Sequence, residues 1–437
     1  MNTGKSRPLL ISLTLAALLL TIIIVAVAFN PEILPEKPPA ESVNESPAPK
    51  KNIVFSFGGL DFNDNLKTQI SLFMEANPDI EVKILQLPNS TDYQKNSYAS
   101  ALRAGDDSID VISTDIIWTQ EFASNGWLLP LDNYFTEEMQ TEFIQSAVDG
   151  CRYNGRVYAV PKKSDVPLLY YRSDIIPKPP ETIDEMVELV KKYKASSGVK
   201  YGFVFQGGLY EGLVCCTLDI IWAYGGDVVR DGKILINTPE SRMGLQKLVD
   251  MMYDGTSSPD ILKFIEDDSM IAFKDGNALF MRNWPYAYRQ LNEEGSLVAG
   301  KVGVCQLPMG DTNIRRTSGT LGGWNYAINS NSKYKEEAWR LIEWLTGPEM
   351  QVLDYKLGGS PPSRIEVYSN PEVIKIDPLS GQMMTLIENA RLRPTPFYPS
   401  ISEVMQINFS NALHRVIDVE TAMGNIEAEL QKMIEAN

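Results

Sequence analysis

The sequence predicts an α/β protein of two lobes, each with its own sheet and hydrophobic core. Three observations carry this expectation. The 437 residues exceed the size at which a single core usually stops growing. Strand-like and helix-like periodicities alternate twice, from Ile53 and again from Val166, and such alternation folds as a mostly parallel sheet covered by helices. Hydrophobic residues make up 44% of the chain and charged residues 22%, the composition of a soluble globular body.

At the N-terminus, Leu9 to Phe29 is a nearly unbroken apolar run preceded by Lys5 and Arg7. That length of helix suffices to cross a membrane with the basic end inside, while Ala26-Val27-Ala28 would suit a signal peptidase. Residues 1–29 are therefore expected to be a membrane anchor or a signal segment, which places the rest of the chain outside the cytoplasm. No cysteine precedes Cys151, so an acylated N-terminal cysteine is not expected. Residues 30–51 are rich in Pro, Glu and Ser and read as a disordered linker, because such a segment buries too little apolar surface to order itself.

The first alternation starts with a strand at Ile53 to Phe57. Leu66, Ile70, Phe73 and Met74 then recur at helical spacing until Asn77-Pro78 stops the helix. A strand at Ile80 to Leu85, a polar helix near Tyr93 to Arg103 and a strand at Asp110 to Ser113 complete it. Ligands are expected beyond the carboxyl ends of such strands, where Gly58, Gly59, Asp61 and Asp115 fall. The second alternation opens with Val166 to Tyr171 and a helix over Ile183 to Tyr193, introduced by Pro179-Pro180-Glu181-Thr182. Near the C-terminus Val416, Val419, Met423, Ile426, Leu430 and Met433 recur in steps of three and four, a stripe that suits docking on its own lobe or a short coiled coil.

Composition and motifs exclude several functions. A formal net charge of −16 with no basic stripe leaves nothing to neutralise a nucleic acid backbone. His414 is the single histidine and no Cys-x-x-Cys occurs, so no metal site is expected. No cofactor motif, P-loop or nucleophile with its base is recognisable, so the chain does not read as an enzyme. The four cysteines, Cys151, Cys215, Cys216 and Cys305, leave buried thiols and one disulfide both open. Sequons stand at Asn44, Asn89 and Asn408.

The residues that carry chemistry point to a saccharide. Trp284 and Trp324 lie in glycine-punctuated segments, Gly276 to Tyr286 and Gly319 to Tyr326, each where an apolar run ends. A pyranose has a C–H face and a rim of hydroxyls, so its site needs flat aromatic surfaces beside planar polar groups. Arg282 and Asn283 are candidate hydroxyl partners, and Gly323 belongs to the Trp324 segment. Asp115 and Trp118 follow the third strand and open a helix, where Asp115 would either bind or merely cap. Asp165 follows Lys162 and Lys163, and Tyr398 sits in the proline-framed run Arg393 to Pro399.

The order of these segments, with Asp110 to Asp115 and Gly126 to Asp132 upstream and Glu336 to Leu345 downstream, resembles the family 1 extracellular solute-binding proteins of carbohydrate ABC importers. The likeness runs from about Asn52 to the C-terminus and is greatest to the trehalose/maltose branch. It implies a type II periplasmic-binding-protein-like fold, two α/β lobes around a cleft with three hinge crossings, near Lys163 to Asp165, Gly303 to Leu307 and Leu345 to Pro348. Lobe one would comprise 52–164 with 305–348, and lobe two 165–304 with 349–437. The resemblance further implies a monomeric receptor without cofactor, whose partners are a saccharide, ABC permease subunits and, through the N-terminal helix, the membrane. It places Asp165 at the first crossing, Trp284 and Trp324 stacked on sugar, and Tyr398 near the cleft. Lys162 and Lys163 depart from the branch, which often has an apolar and an aromatic residue there. Facing the cleft they would suit an acidic sugar; otherwise they are solvated. The alternatives are iron held by Tyr170 and Tyr171, a polyamine, or a secreted glycosidase using Asp115 and Asp165 at a separation of about 5 Å or somewhat more.

Overall fold

Two separate sheets organise the chain. The computed structural model describes residues 50–58, 64–88, 90–230, 233–311, 319–376, 380–393 and 398–435. The apolar run at 9–29, most of the linker, and Gly59 and Asp61 lie outside these residues. Among the described residues no helix is long and apolar enough to cross a membrane.

The first sheet contains β1 (Lys51–Gly58), β2 (Ile80–Leu87), β3 (Val111–Asp115), β4 (Ala159–Asp165) and, from late in the sequence, β9 (Gly322–Ile328). Its order is β2-β1-β3-β9-β4, with β1 parallel to β2 and β3, and β9 antiparallel to β3 and β4. Helices α1 (Asp64–Ala76) and α2 (Thr91–Arg103) supply the crossovers that parallel strands require. Leu66, Ile70 and Phe73 of α1 are buried as their spacing predicts, and the Asn77 side chain closes the helix by donating to the Phe73 carbonyl at 2.8 Å. The Ser90 hydroxyl caps α2 by accepting from the Tyr93 N–H.

The second sheet contains β5 (Leu168–Arg172), β6 (Tyr201–Val204), β7 (Ala278–Asn283) and β8 (Val302–Gln306), in the order β8-β5-β7-β6. Around it pack α3 (Ile183–Ser197), α4 (Glu211–Ala223), α5 (Pro239–Tyr253) and α6 (Glu266–Lys274). Nearly every residue of α4 is buried, which makes it the central helix of this half rather than an amphipathic cover. The helices α7 (Lys335–Leu345) and α8 (Pro348–Gly358) follow β9, and α9 (Ser380–Glu388), α10 (Tyr398–Leu413) and α11 (Val419–Glu435) end the chain. Helix α11 buries Val419, Ala422, Met423, Ile426 and Leu430 in the core of the second sheet's half. The stripe is thus spent on intramolecular docking. Val416 is no part of it, being 69% exposed ahead of the helix.

The chain passes from β4 to β5 through Val166-Pro167 and returns from β8 to β9 across 307–321. Two placements differ from the boundaries expected above. Residues 305 and 306 complete β8 in the second sheet. The α8 segment leans on α1 beside the first sheet, with Asn65 donating to Asp354 at 2.6 Å and Gln69 to the Met350 carbonyl at 3.0 Å.

All four cysteines are free thiols, with Cys151, Cys215 and Cys216 buried. The Asn408 sequon is unsuited to modification, because its side chain is buried and bonded to the Val404 carbonyl and to Asn425.

Candidate ligand-binding site

The sites on the two sheets converge through strand register. Because β9 runs antiparallel to both neighbours, Trp324 pairs with Asp115 at the carboxyl end of β3 and with Lys163 of β4, while Gly322 pairs with Asp165. Trp284 follows the last residue of β7 in the other sheet. A methyl group added to Gly322 would come within 2.9 Å of the Trp284 six-membered ring and 3.3 Å of Asp165. Asp115, Asp165, Trp284 and Trp324 are therefore gathered where the two sheets meet, beyond the ends of β3 and β7. Gly323 supports this closeness: its φ of +150° is a glycine conformation, and a Cβ would lie 2.6 Å from the Lys163 carbonyl.

Both indoles keep partial exposure, and each is held from the side. Trp284 donates its N–H to Glu266 at 3.4 Å, and the Arg282 guanidinium covers one ring face at 4.3 Å from the centroid. Glu266, the first residue of α6, also accepts the Tyr210 hydroxyl at 2.6 Å. Trp324 stands edge-on to Trp118, centroids 5.4 Å apart at 84°, the favoured arrangement for an aromatic pair.

The Asp115 carboxylate accepts the Ile117 N–H at 3.1 Å and lies 3.9 Å from Arg393. The short helix that follows begins only at Thr119, so Asp115 shapes a turn rather than capping. Burial raises its pKa to about 6, opposed by Arg393 and reinforced by Glu211 and Asp165. Arg393 in turn donates to Glu211 at 2.6 Å and to the Leu321 carbonyl at 3.1 Å. The Tyr398 hydroxyl bonds the same Glu211 oxygen at 2.6 Å, and Ser402 bonds the other.

Four sequence candidates are not set to meet a ligand. Trp118 is 2% exposed and packs between Tyr98, Phe122 and Trp324; an apolar helix start buried it as core. Arg282 is fully enclosed, bonded to Asp219, Gln206 and Thr320. Asn283 is buried and donates to the Glu266 carbonyl and Ser269. Tyr398 is likewise buried on Glu211. The Lys162 ammonium sits 5.5 Å above the Tyr326 ring, a cation–π contact. Tyr170, offered as an iron ligand, donates to the backbone carbonyls of Trp284 and Pro285. Among the described residues no group of three or more His, Cys, Asp or Glu could hold a metal.

Sequence reasoning missed Glu211, Glu266, Tyr210 and Arg393. The two acids open helices, a position any surface carboxylate can occupy, so nothing in their local sequence distinguishes them.

Comparison with known proteins bears on the family and the fold. The model of the family described as bacterial extracellular solute-binding protein matches residues 61–352. A probable ABC transporter-binding protein of Deinococcus radiodurans is 32% identical over 355 residues, 78% of this chain and 83% of that protein. A maltotriose-binding protein of Pyrococcus abyssi is 26% identical over 330 residues, 74% of this chain and 68% of that one. Among solved structures, maltose-bound T. maritima MalE3 superposes with a TM-score of 0.83 at 37% identity, covering 87% of this chain and 99% of that chain.

Proposed function

The chain belongs to the bacterial extracellular solute-binding protein family, and from that premise we propose that it receives a neutral saccharide, a maltose- or trehalose-like oligosaccharide, and delivers it to an ABC permease. The family is one of receptors rather than enzymes, and the fold is that of sugar- and polyol-binding ABC solute-binding proteins. The observation that carries the ligand class is the meeting of Trp284 from one sheet with Gly322 and Asp165 from the other, beside Trp324 and Asp115. Two half-exposed indoles would take the C–H faces of the sugar, and the carboxylates its hydroxyls. A ligand touching both halves stabilises the closed form over the open one by that double contact. The lobes would thus be the halves built on the two sheets, hinged where the chain passes between them.

The charges at the junction argue against the acidic-sugar reading. Asp115, Asp165, Glu211 and Glu266 gather at the junction, while Arg393 is engaged by Glu211 and Arg282 by Asp219. Anchoring through Leu9 to Phe29, and a linker that keeps a monomeric receptor near its permease, complete the reading.

A thermal-shift series on the purified protein with maltose, trehalose, malto-oligosaccharides, glucuronate, a polyamine and ferric citrate tests it. Ligand at a hundred times its dissociation constant adds about 2.7 kcal/mol of stability. A rise with neutral sugars alone, without hydrolysis, is the expected result. A rise only with charged solutes or iron would overturn the ligand class and leave the family untouched.

A further inference from the structure

We propose that Arg282, held by Asp219, is a positioning residue that fixes the plane of the Trp284 indole and so decides which of its faces a ligand can use. The inference rests on the reading of Trp284 as a saccharide platform. Asp219 lies on the central helix α4 and is 4% exposed. One of its carboxylate oxygens accepts two bonds from Arg282, from Nε at 3.1 Å and Nη2 at 2.9 Å. Its other oxygen accepts the backbone N–H of Thr320 at 2.8 Å, and Thr320 leads into Gly322 and Trp324. Arg282 also donates to Gln206 at 2.9 Å and to the Thr320 hydroxyl at 3.3 Å. The guanidinium is thus gripped from three elements, and a planar fork bonded this way has no rotational freedom left.

That plane is what the indole rests on. With Arg282 at 4.3 Å from the ring centroid, one face of Trp284 is occupied by a fixed cation. The ring edge is set against Gly322 and the N–H is taken by Glu266. The partial exposure of Trp284 therefore falls to its opposite face. One carboxylate on α4 ties both tryptophan-bearing segments together, β7 through Arg282 and the start of β9 through Thr320. Burial pushes the Asp219 pKa up and Arg282 opposes that shift, so the carboxylate depends on the partner it orients.

The test is a double-mutant cycle on the full chain between Arg282→Lys and Trp284→Ala, read by affinity for maltotriose and by near-ultraviolet circular dichroism of the unliganded protein. Lysine keeps a cation opposite Asp219 and loses the fork. Arg282→Lys should weaken affinity at least tenfold and remove the Trp284 contribution to the dichroism. In the Trp284→Ala background it should change affinity less than twofold. Losses that simply add, or unchanged dichroism, would reduce the pair to a core ion pair and overturn the proposal. Should the wild type bind no saccharide, the ligand class falls, and the dichroism of the Arg282→Lys and Gln206→Leu variants still decides whether the fork orients the indole.

Discussion

Arg393 donates to Glu211 at 2.6 Å while standing 3.9 Å from Asp115, so one buried guanidinium joins the start of α4 to the end of β3 in the other half. Removing one partner of a buried pair strands the other charge, at a cost of about 3–5 kcal/mol. Arg393→Met should therefore lower the free energy of unfolding in urea by that amount. A loss below about 1 kcal/mol, the range of an exposed pair, would mean that the pair is solvated in solution.

Asp115 makes a pH-dependent contribution of opposite sign to that of an ordinary salt-bridged carboxylate. Its folded pKa, about 6, lies above the ordinary aspartate value of 3.8. Between these values the folded state holds a proton that the unfolded chain has released, so stability falls as pH rises through this window and is level above it. Asp115→Asn should stabilise the unliganded protein by about 2–3 kcal/mol above pH 7. The advantage should shrink to nothing near pH 4, which melting curves of both proteins across pH would show.

Trp324→Ala and Trp284→Ala should each weaken binding of a saccharide more than tenfold while cooperative unfolding persists. Both rings are partly exposed, so their loss opens little core. Calorimetric titration measures the effect, and unchanged affinity in both variants would remove these residues from the site.

The thiols should be inert in the native protein. Burial pushes Cys216 and Cys305 up to about 12 and raises Cys151 and Cys215 as well, and only a thiolate reacts. A thiol-disulfide reagent should titrate four groups in denaturant and release its chromophore slowly without it. The melting temperature should be indifferent to reductant, since no disulfide is present to break.

Legibility from sequence followed the range of the interaction. Leu66, Ile70 and Phe73 declare their buried face by spacing alone, and α1 forms as read. Trp284 and Trp324 stood out because an aromatic at the end of an apolar strand has few local reasons to be there. Trp118 had the same local appearance, yet it lies under Trp324 in the core. Asn283 and Arg282 share a segment with Trp284, yet alternation along the strand turns Asn283 away to Ser269 and the Glu266 carbonyl, while Arg282 shares the side of Trp284 and lies against its ring, held by Asp219 and Gln206.

By itself the sequence determined the alternation of strands and helices, the existence of two cores and the aromatic, acidic character of the residues at the strand ends, because periodicity and residue chemistry are local properties. Only the tertiary structure decided which of those residues share a site. Asp115 and Trp324 are neighbours through antiparallel register, and Glu211 meets Arg393 across 182 positions. Contacts of that separation are set by how sheets and helices pack, and no local pattern encodes them.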